Sequence, residues 1–194
     1  IEADKKILVS SSHDCVKFNM PNSSACDAVT EFLPPVSTWG KDYILPTNSD
    51  NSEDTSLFLV VADEDGTTVT INGSDVTLDA GETHTIQGST GSLKIDVVSS
   101  SKPISVMQAI GGLTGSPSGD PAIVIVTPNE QFINDSLFAT PPGAQFSLNE
   151  ITIIGKTSDT GNFTLDGAAI DSGEFSPINN TEFSVARITI SAGT

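Results

Sequence analysis

Apolar residues in this chain fall into short runs of period two, broken by turn-forming residues. Val69 and Ile71 alternate with threonines, Asn72-Gly73 follows, and Val76 and Leu78 resume the alternation. A period of two puts alternate side chains on opposite faces of a strand. Asn-Gly suits the positive φ required at both positions of a type I′ turn, so the pattern predicts a hairpin. Phe163, Leu165 and Asp166-Gly167 predict a second one. Further strands are expected at residues 7–10, 57–62, 92–98, 104–109, 123–126, 151–155 and 184–190, between Gly, Asn, Asp and Pro clusters. The runs 57–61 and 122–126 are continuous rather than alternating, which predicts burial on both faces. No stretch sustains a helical period.

The pattern also repeats. Residues 5–9 reappear at 102–106, a shift of 97, and residues 27–47 reappear at 120–140, a shift of 93. In the second block Asp27 and Asp120, Pro35 and Pro128, Asp42 and Asp135, and Thr47 and Thr140 are identical, and Trp39 answers to Phe132. The two hairpins correspond as well, as do Gly81-Glu82 and Gly173-Glu174. Between turn and Gly-Glu pair, residues 74–80 shorten to 168–172, an even difference that keeps each side chain on its face. The expected architecture is all-β: two tandem, internally duplicated β-sandwich-like units, residues 1–97 and 98–194, packed together. A propeller-like or solenoid arrangement is the alternative.

Composition narrows the functions. Against 25 Asp and Glu stand 8 Lys and Arg, and Arg187 is the sole arginine. Such a surface repels nucleic acid and anionic membranes. No apolar run reaches the length of a membrane-spanning helix, so no membrane insertion is expected. The chain reads as a mature or excised piece of something longer. Cys15 and Cys26 flank a polar stretch and are expected to form a disulfide. Sequons at Asn22, Asn72, Asn134, Asn162 and Asn179 point to N-glycosylation and an extracellular address.

Candidate chemistry is sparse. The two histidines, His13 and His84, are distant in sequence, and no Gly-x-Ser-x-Gly elbow occurs. Asp63-Glu64-Asp65-Gly66 resembles part of a calcium loop but lacks the remaining ligands, so a solvated turn is expected. Asp27 and Asp120 read as local turn caps ahead of a cation site. Trp39 and Tyr43 offer a sugar-stacking pair, although an aromatic kept in both copies favours a core role for Trp39. The copies diverge in one loop: residues 10–26 carry the cysteines, while 111–119 are Gly-rich. Where scaffolds agree and loops differ, recognition concentrates in the loops.

The run Cys26-Asp27-Ala28-Val29, then Glu31-Phe32-Leu33-Pro34-Pro35-Val36-Ser37-Thr38-Trp39-Gly40-Lys41, resembles the N-terminal domain of IgG Fc-binding protein. Residues 101–106, 119–121 and 183–187 fit in the same order. The resemblance implies a secreted, multidomain, mucus-associated or cell-surface setting. It transfers neither catalytic residues nor Fc binding.

The function expected from sequence is therefore a non-enzymatic extracellular structural or adhesion module. It would support protein–protein contacts in matrix, mucus-like or filament assembly. A carbohydrate- or immunoglobulin-binding module is the alternative. Expected partners are other extracellular proteins or further domains of the same polypeptide, with glycans as a further class. No cofactor, metal or catalytic residue is expected.

Overall fold

The computed structural model describes residues 1, 3–18, 23–47, 56–87, 95–113, 120–140 and 149–190. Two compact units divide after Ile133: Ile1–Ile133 and Asn134–Thr194. The first holds β1 (Ser10–Val16), β2 (Ser23–Ala25), β3 (Asp27–Phe32), β4 (Gly40–Pro46), β5 (Ser56–Ala62) and β6 (Thr67–Ile71). It continues with β7 (Ser74–Leu78), β8 (Thr83–Gln87), β9 (Ile95–Ile110), β10 (Gly112–Leu113) and β11 (Ala122–Ile125). The second holds β12 (Asn149–Lys156), β13 (Thr164–Leu165), β14 (Ala168–Ala169), β15 (Ser176–Pro177) and β16 (Phe183–Ile190). The protein is all-β, and the expected boundary between residues 97 and 98 lies inside one strand, β9.

That strand organises the first unit. Its N-terminal half runs between β4 and β6, and its C-terminal half between β5 and β11. A strand with four partners curls its sheet, here into a half-barrel whose path is β7-β6-β9-β5-β8. The core is the concave filling: Tyr43 and Leu45 from β4, Phe58, Val60 and Ala62 from β5, Val69, Leu78, Ile86, and Val98, Ile104 and Val106 from β9. Burial of large aliphatic and aromatic side chains contributes about 1.5–3 kcal/mol each. In β5 alternate residues are fully buried and the others half-buried, as expected for a strand covered on both sides. The run 122–126 departs from that expectation. Ala122 and Val124 are exposed, because β11 is an edge strand paired to β9 alone.

β4 was not foreseen as a strand. Tyr43, Ile44 and Leu45 are buried in succession, so the segment shows no alternation. Its ladder with β9 skips: Gly40 faces Ile104, yet Asp42 faces Ser99. The Tyr43 hydroxyl bridges that skip. It donates to the Ile104 carbonyl at 2.6 Å and accepts from the Gly40 amide at 3.1 Å.

In the second unit β12, β16 and β15 form a sheet, with β12 and β16 antiparallel along eight residue pairs. Gly155 lies against the Phe163 ring, which stacks on Phe175 at 5.0 Å between centroids. Arg187 and Glu150 approach to 4.0 Å on facing strands.

Several segments that correspond in sequence share local backbone features. Asn72 and Gly73 adopt φ of 49° and 87°, and Asp166 and Gly167 adopt 50° and 80°. Both pairs close two-residue hairpins, Ile71 facing Ser74 and Leu165 facing Ala168. Val36–Thr38 and Asn129–Gln131 each form one turn of 3-10 helix, entered from Pro35 or Pro128 and left at Trp39 or Phe132. The Glu82 amide bonds to the Asp79 carbonyl, and the Glu174 amide to that of Asp171.

Candidate contact surface

Residues 10–16 were expected as irregular loop but form β1, an antiparallel partner of β3. Ser10 faces Phe32, Ser11 faces Glu31, Ser12 faces Thr30 and His13 faces Val29. Each pair has a counterpart between β9 and β11 at the two shifts already seen. Met107 faces Ile125, Gln108 faces Val124, Ala109 faces Ile123 and Ile110 faces Ala122. The Leu33 amide donates to the Val9 carbonyl at 2.9 Å, and the Val126 amide to that of Val106 at 2.8 Å. The β1–β3 ladder is thus a second copy of the β9–β11 ladder in the same register.

The copies differ in what surrounds them. The disulfide between Cys15 and Cys26, with Cα atoms 5.1 Å apart, staples the far end of β1–β3. Locally, the Cys15 amide bonds to His13 Nδ1 at 3.1 Å, and Asp27 Oδ1 accepts from the Ala28 amide at 2.7 Å. Asp27 is therefore a local cap, and Asp120 is exposed. The two divergent loops also meet. Gly112 of β10 pairs with Ala25 of β2, and Leu113 pairs with Ser23. The rest of the Gly-rich loop, 114–119, lies outside the described residues, as does Asn22.

Exposed apolar residues flank this stapled ladder in the chain. Ile7 is 54% and Leu8 77% exposed, and Phe32, Leu33 and Val36 are exposed beside them in the chain. A single exposed apolar residue is ordinary, whereas several at the ends of one two-stranded ribbon make it a candidate contact surface. Sequence reasoning missed this cluster. The signal was present, since Ile7 aligns with Ile104, which is fully buried.

The other candidate residues divide. Tyr43 is 1% exposed with its hydroxyl tied to backbone, so it cannot stack on a sugar and the Trp39–Tyr43 platform does not exist. Trp39 is half-buried, its indole N–H directed at the Pro34 carbonyl at 3.4 Å. The acidic turn is structural: Asp79 accepts from the Gly66 amide and Asp65 from the Ala80 amide, tying two turns together. Among the described residues no three His, Cys, Asp or Glu side chains gather as a metal site. His13 lies in the β1–β3 ladder, whereas His84 of β8 faces Val60 of β5. Among the described residues no helix is long and apolar enough to cross a membrane.

Four sequons lie within the described residues. Asn134, Asn162 and Asn179 are exposed. Asn72 is engaged at both ends of its amide: Nδ2 donates to Asp96 Oδ1 at 2.7 Å, and Oδ1 accepts from the Val97 amide at 2.9 Å.

Glu130 is a second point of contact between the copies. Its Oε1 accepts from the Lys41 amide at 2.7 Å and the Asp42 amide at 3.3 Å. Burial, then the Glu130 charge, push the Asp42 carboxyl above its usual range, and Lys41 opposes them.

A family model described as IgGFc binding protein matches residues 1–194, the whole chain. No curated protein and no solved structure matches the chain.

Proposed function

The chain belongs to the IgGFc-binding protein family, and from that premise we propose that it is a non-enzymatic contact module of a secreted or cell-surface protein. The family is extracellular and its domain is a binding or structural one. The observation that carries the proposal is the β1–β3 ladder. It matches the β9–β11 ladder in register, carries the disulfide, and is flanked by the exposed Ile7, Leu8, Phe32 and Leu33. Its role is adhesion or assembly in matrix, mucus-like layers or filaments. The disulfide suits an oxidising compartment, and the exposed sequons Asn134, Asn162 and Asn179 are its glycosylation sites. The duplication supports contact rather than catalysis, because what is repeated is scaffold: ladders, turns and Pro-aromatic blocks.

Surface plasmon resonance tests this with three probes: a purified mucin, an immunoglobulin Fc fragment and the chain itself. Saturable binding to at least one is expected. The double variant Cys15→Ser/Cys26→Ser should weaken it while leaving β-sheet circular dichroism intact. Removing a loop-closing disulfide of this length costs roughly 3 kcal/mol of folding stability. Absence of binding to all three, or binding indifferent to the staple, contradicts the proposal.

A further inference from the structure

The duplication indicates what β1 is missing. In the second copy of the ladder, β9 has β11 on one edge and β5 on the other, with Ser56 facing Ile110 through to Ala62 facing Ile104. In the first copy, β3 stands in the place of β11. Among the described residues no strand stands in the place of β5. The side chains record the difference. Ile104, Ser105 and Val106 are buried under β5 and its neighbours, whereas their counterparts Ile7 and Leu8 are exposed and Val9 is half-buried. The edge is interrupted only past His13, where the β1–β3 register shifts. No proline or lysine occurs from Ile7 to His13, and Ser10-Ser11-Ser12 leave the backbone open to approach.

We propose that this edge of β1 pairs with β1 of a second copy of the chain, antiparallel about a two-fold axis. The proposal rests on the reading of β1–β3 as a contact surface and names its partner. Two arguments select a second copy. First, the place is that of an antiparallel strand of this fold. In a second copy β5 is already held on both edges by β8 and β9 and cannot fill the place, whereas β1 has an edge to offer. Second, the charges complement one another. The Val9 carbonyl bonds to β3, so the backbone groups of Leu8, Ser10 and Ser12 face the open edge. Pairing Ser10 with its own counterpart sets Leu8 opposite Ser12 and Lys6 opposite Asp14, a cross-strand pair of opposite sign at each end. A two-fold contact is self-complementary and closes, so the product is a dimer rather than a fibre. It joins β3-β1 of one copy to β1-β3 of the other in one sheet.

Sedimentation equilibrium on the oxidised chain, from about 10 μM to about 1 mM, reads the association in the range of a weak interface. A reversible monomer–dimer equilibrium is expected. Ser12→Pro removes a donor on the open edge without touching the β3 ladder, and proline is tolerated at such edge positions. It should weaken the dimer at least about tenfold, a loss of about 1.4 kcal/mol, with unchanged circular dichroism. Lys6→Glu should weaken it too, and Lys6→Glu/Asp14→Lys should restore it. A chain monomeric throughout, or a dimer indifferent to both Ser12→Pro and Lys6→Glu, overturns the proposal. Either outcome leaves open contact with mucin or Fc, which the resonance experiment reads separately.

Discussion

Gln131 donates its side-chain amide to the main-chain carbonyl of Thr38, which occupies the same place in the other copy of the duplicated block. The two 3-10 turns therefore touch at equivalent positions, and Glu130 fastens the same contact to the start of β4. Close approach here depends on Gly40, where an added Cβ meets the Pro128 ring and the Glu130 carboxylate. Gly40→Ala should cost about 1–3 kcal/mol through overpacking. Denaturant unfolding followed by the single tryptophan, Trp39, checks the loss.

Tyr43→Phe removes a hydroxyl that spans the skip in the β4–β9 ladder. It leaves the Ile104 carbonyl and Gly40 amide buried without that partner. The expected loss is about 1–3 kcal/mol, or about 2–10 °C in Tm. Calorimetry should show it with little change in the cooperativity of the transition.

Asp42 contributes an unusual pH dependence. Its carboxyl titrates above its ordinary range in the folded state, so the folded chain binds that proton more tightly than the unfolded one. The contribution is fully present below the unfolded pKa, near 3.8. It is lost as pH rises through the raised folded pKa. Asp42→Asn should flatten this fall and raise stability at neutral pH relative to acid. Chemical denaturation of both proteins from pH 3 to 7 measures the difference in slope.

Glycan occupancy should divide by amide engagement. Mass spectrometry of the chain secreted from a glycosylating host should find glycan on Asn134, Asn162 and Asn179. Asn72 should be bare, because its Nδ2 is bonded to the buried Asp96 within the hairpin turn. Asn72→Ala should also destabilise, by about 1–3 kcal/mol, since it loses that bond, the Val97 bond and a residue tolerant of positive φ.

The hairpins were legible because they are local, whereas the two 3-10 turns were not foreseen. Asn-Gly and Asp-Gly dictate their turns whatever lies around them. The partners of β9 were not legible. A strand of sixteen residues with four neighbours reads as two separate strands when only periodicity is followed. The division at residue 97 followed from that. β1 escaped notice because Ser10-Ser11-Ser12-His13-Asp14 has no apolar residue to reveal a strand. Its pairing is imposed by β3 and by its equivalence to β9. Tyr43 read as a surface aromatic because its burial comes from the ladder skip, a tertiary feature. The cysteines announced the staple, yet nothing local announced that the stapled ladder matches β9–β11 but has no strand in the place of β5 among the described residues.

That last point is best tested by residue-resolved amide hydrogen exchange on dilute, monomeric chain. Met107 and Ala109 direct their amides toward β5, and Ser10 and Ser12 are their counterparts on the open edge. The account predicts slow exchange at Met107 and Ala109, close to the global unfolding limit, and exchange faster by several orders of magnitude at Ser10 and Ser12. Equal protection at the two pairs would mean that β1 is already covered, and would contradict the claim that this chain exposes a duplicated core strand for contact.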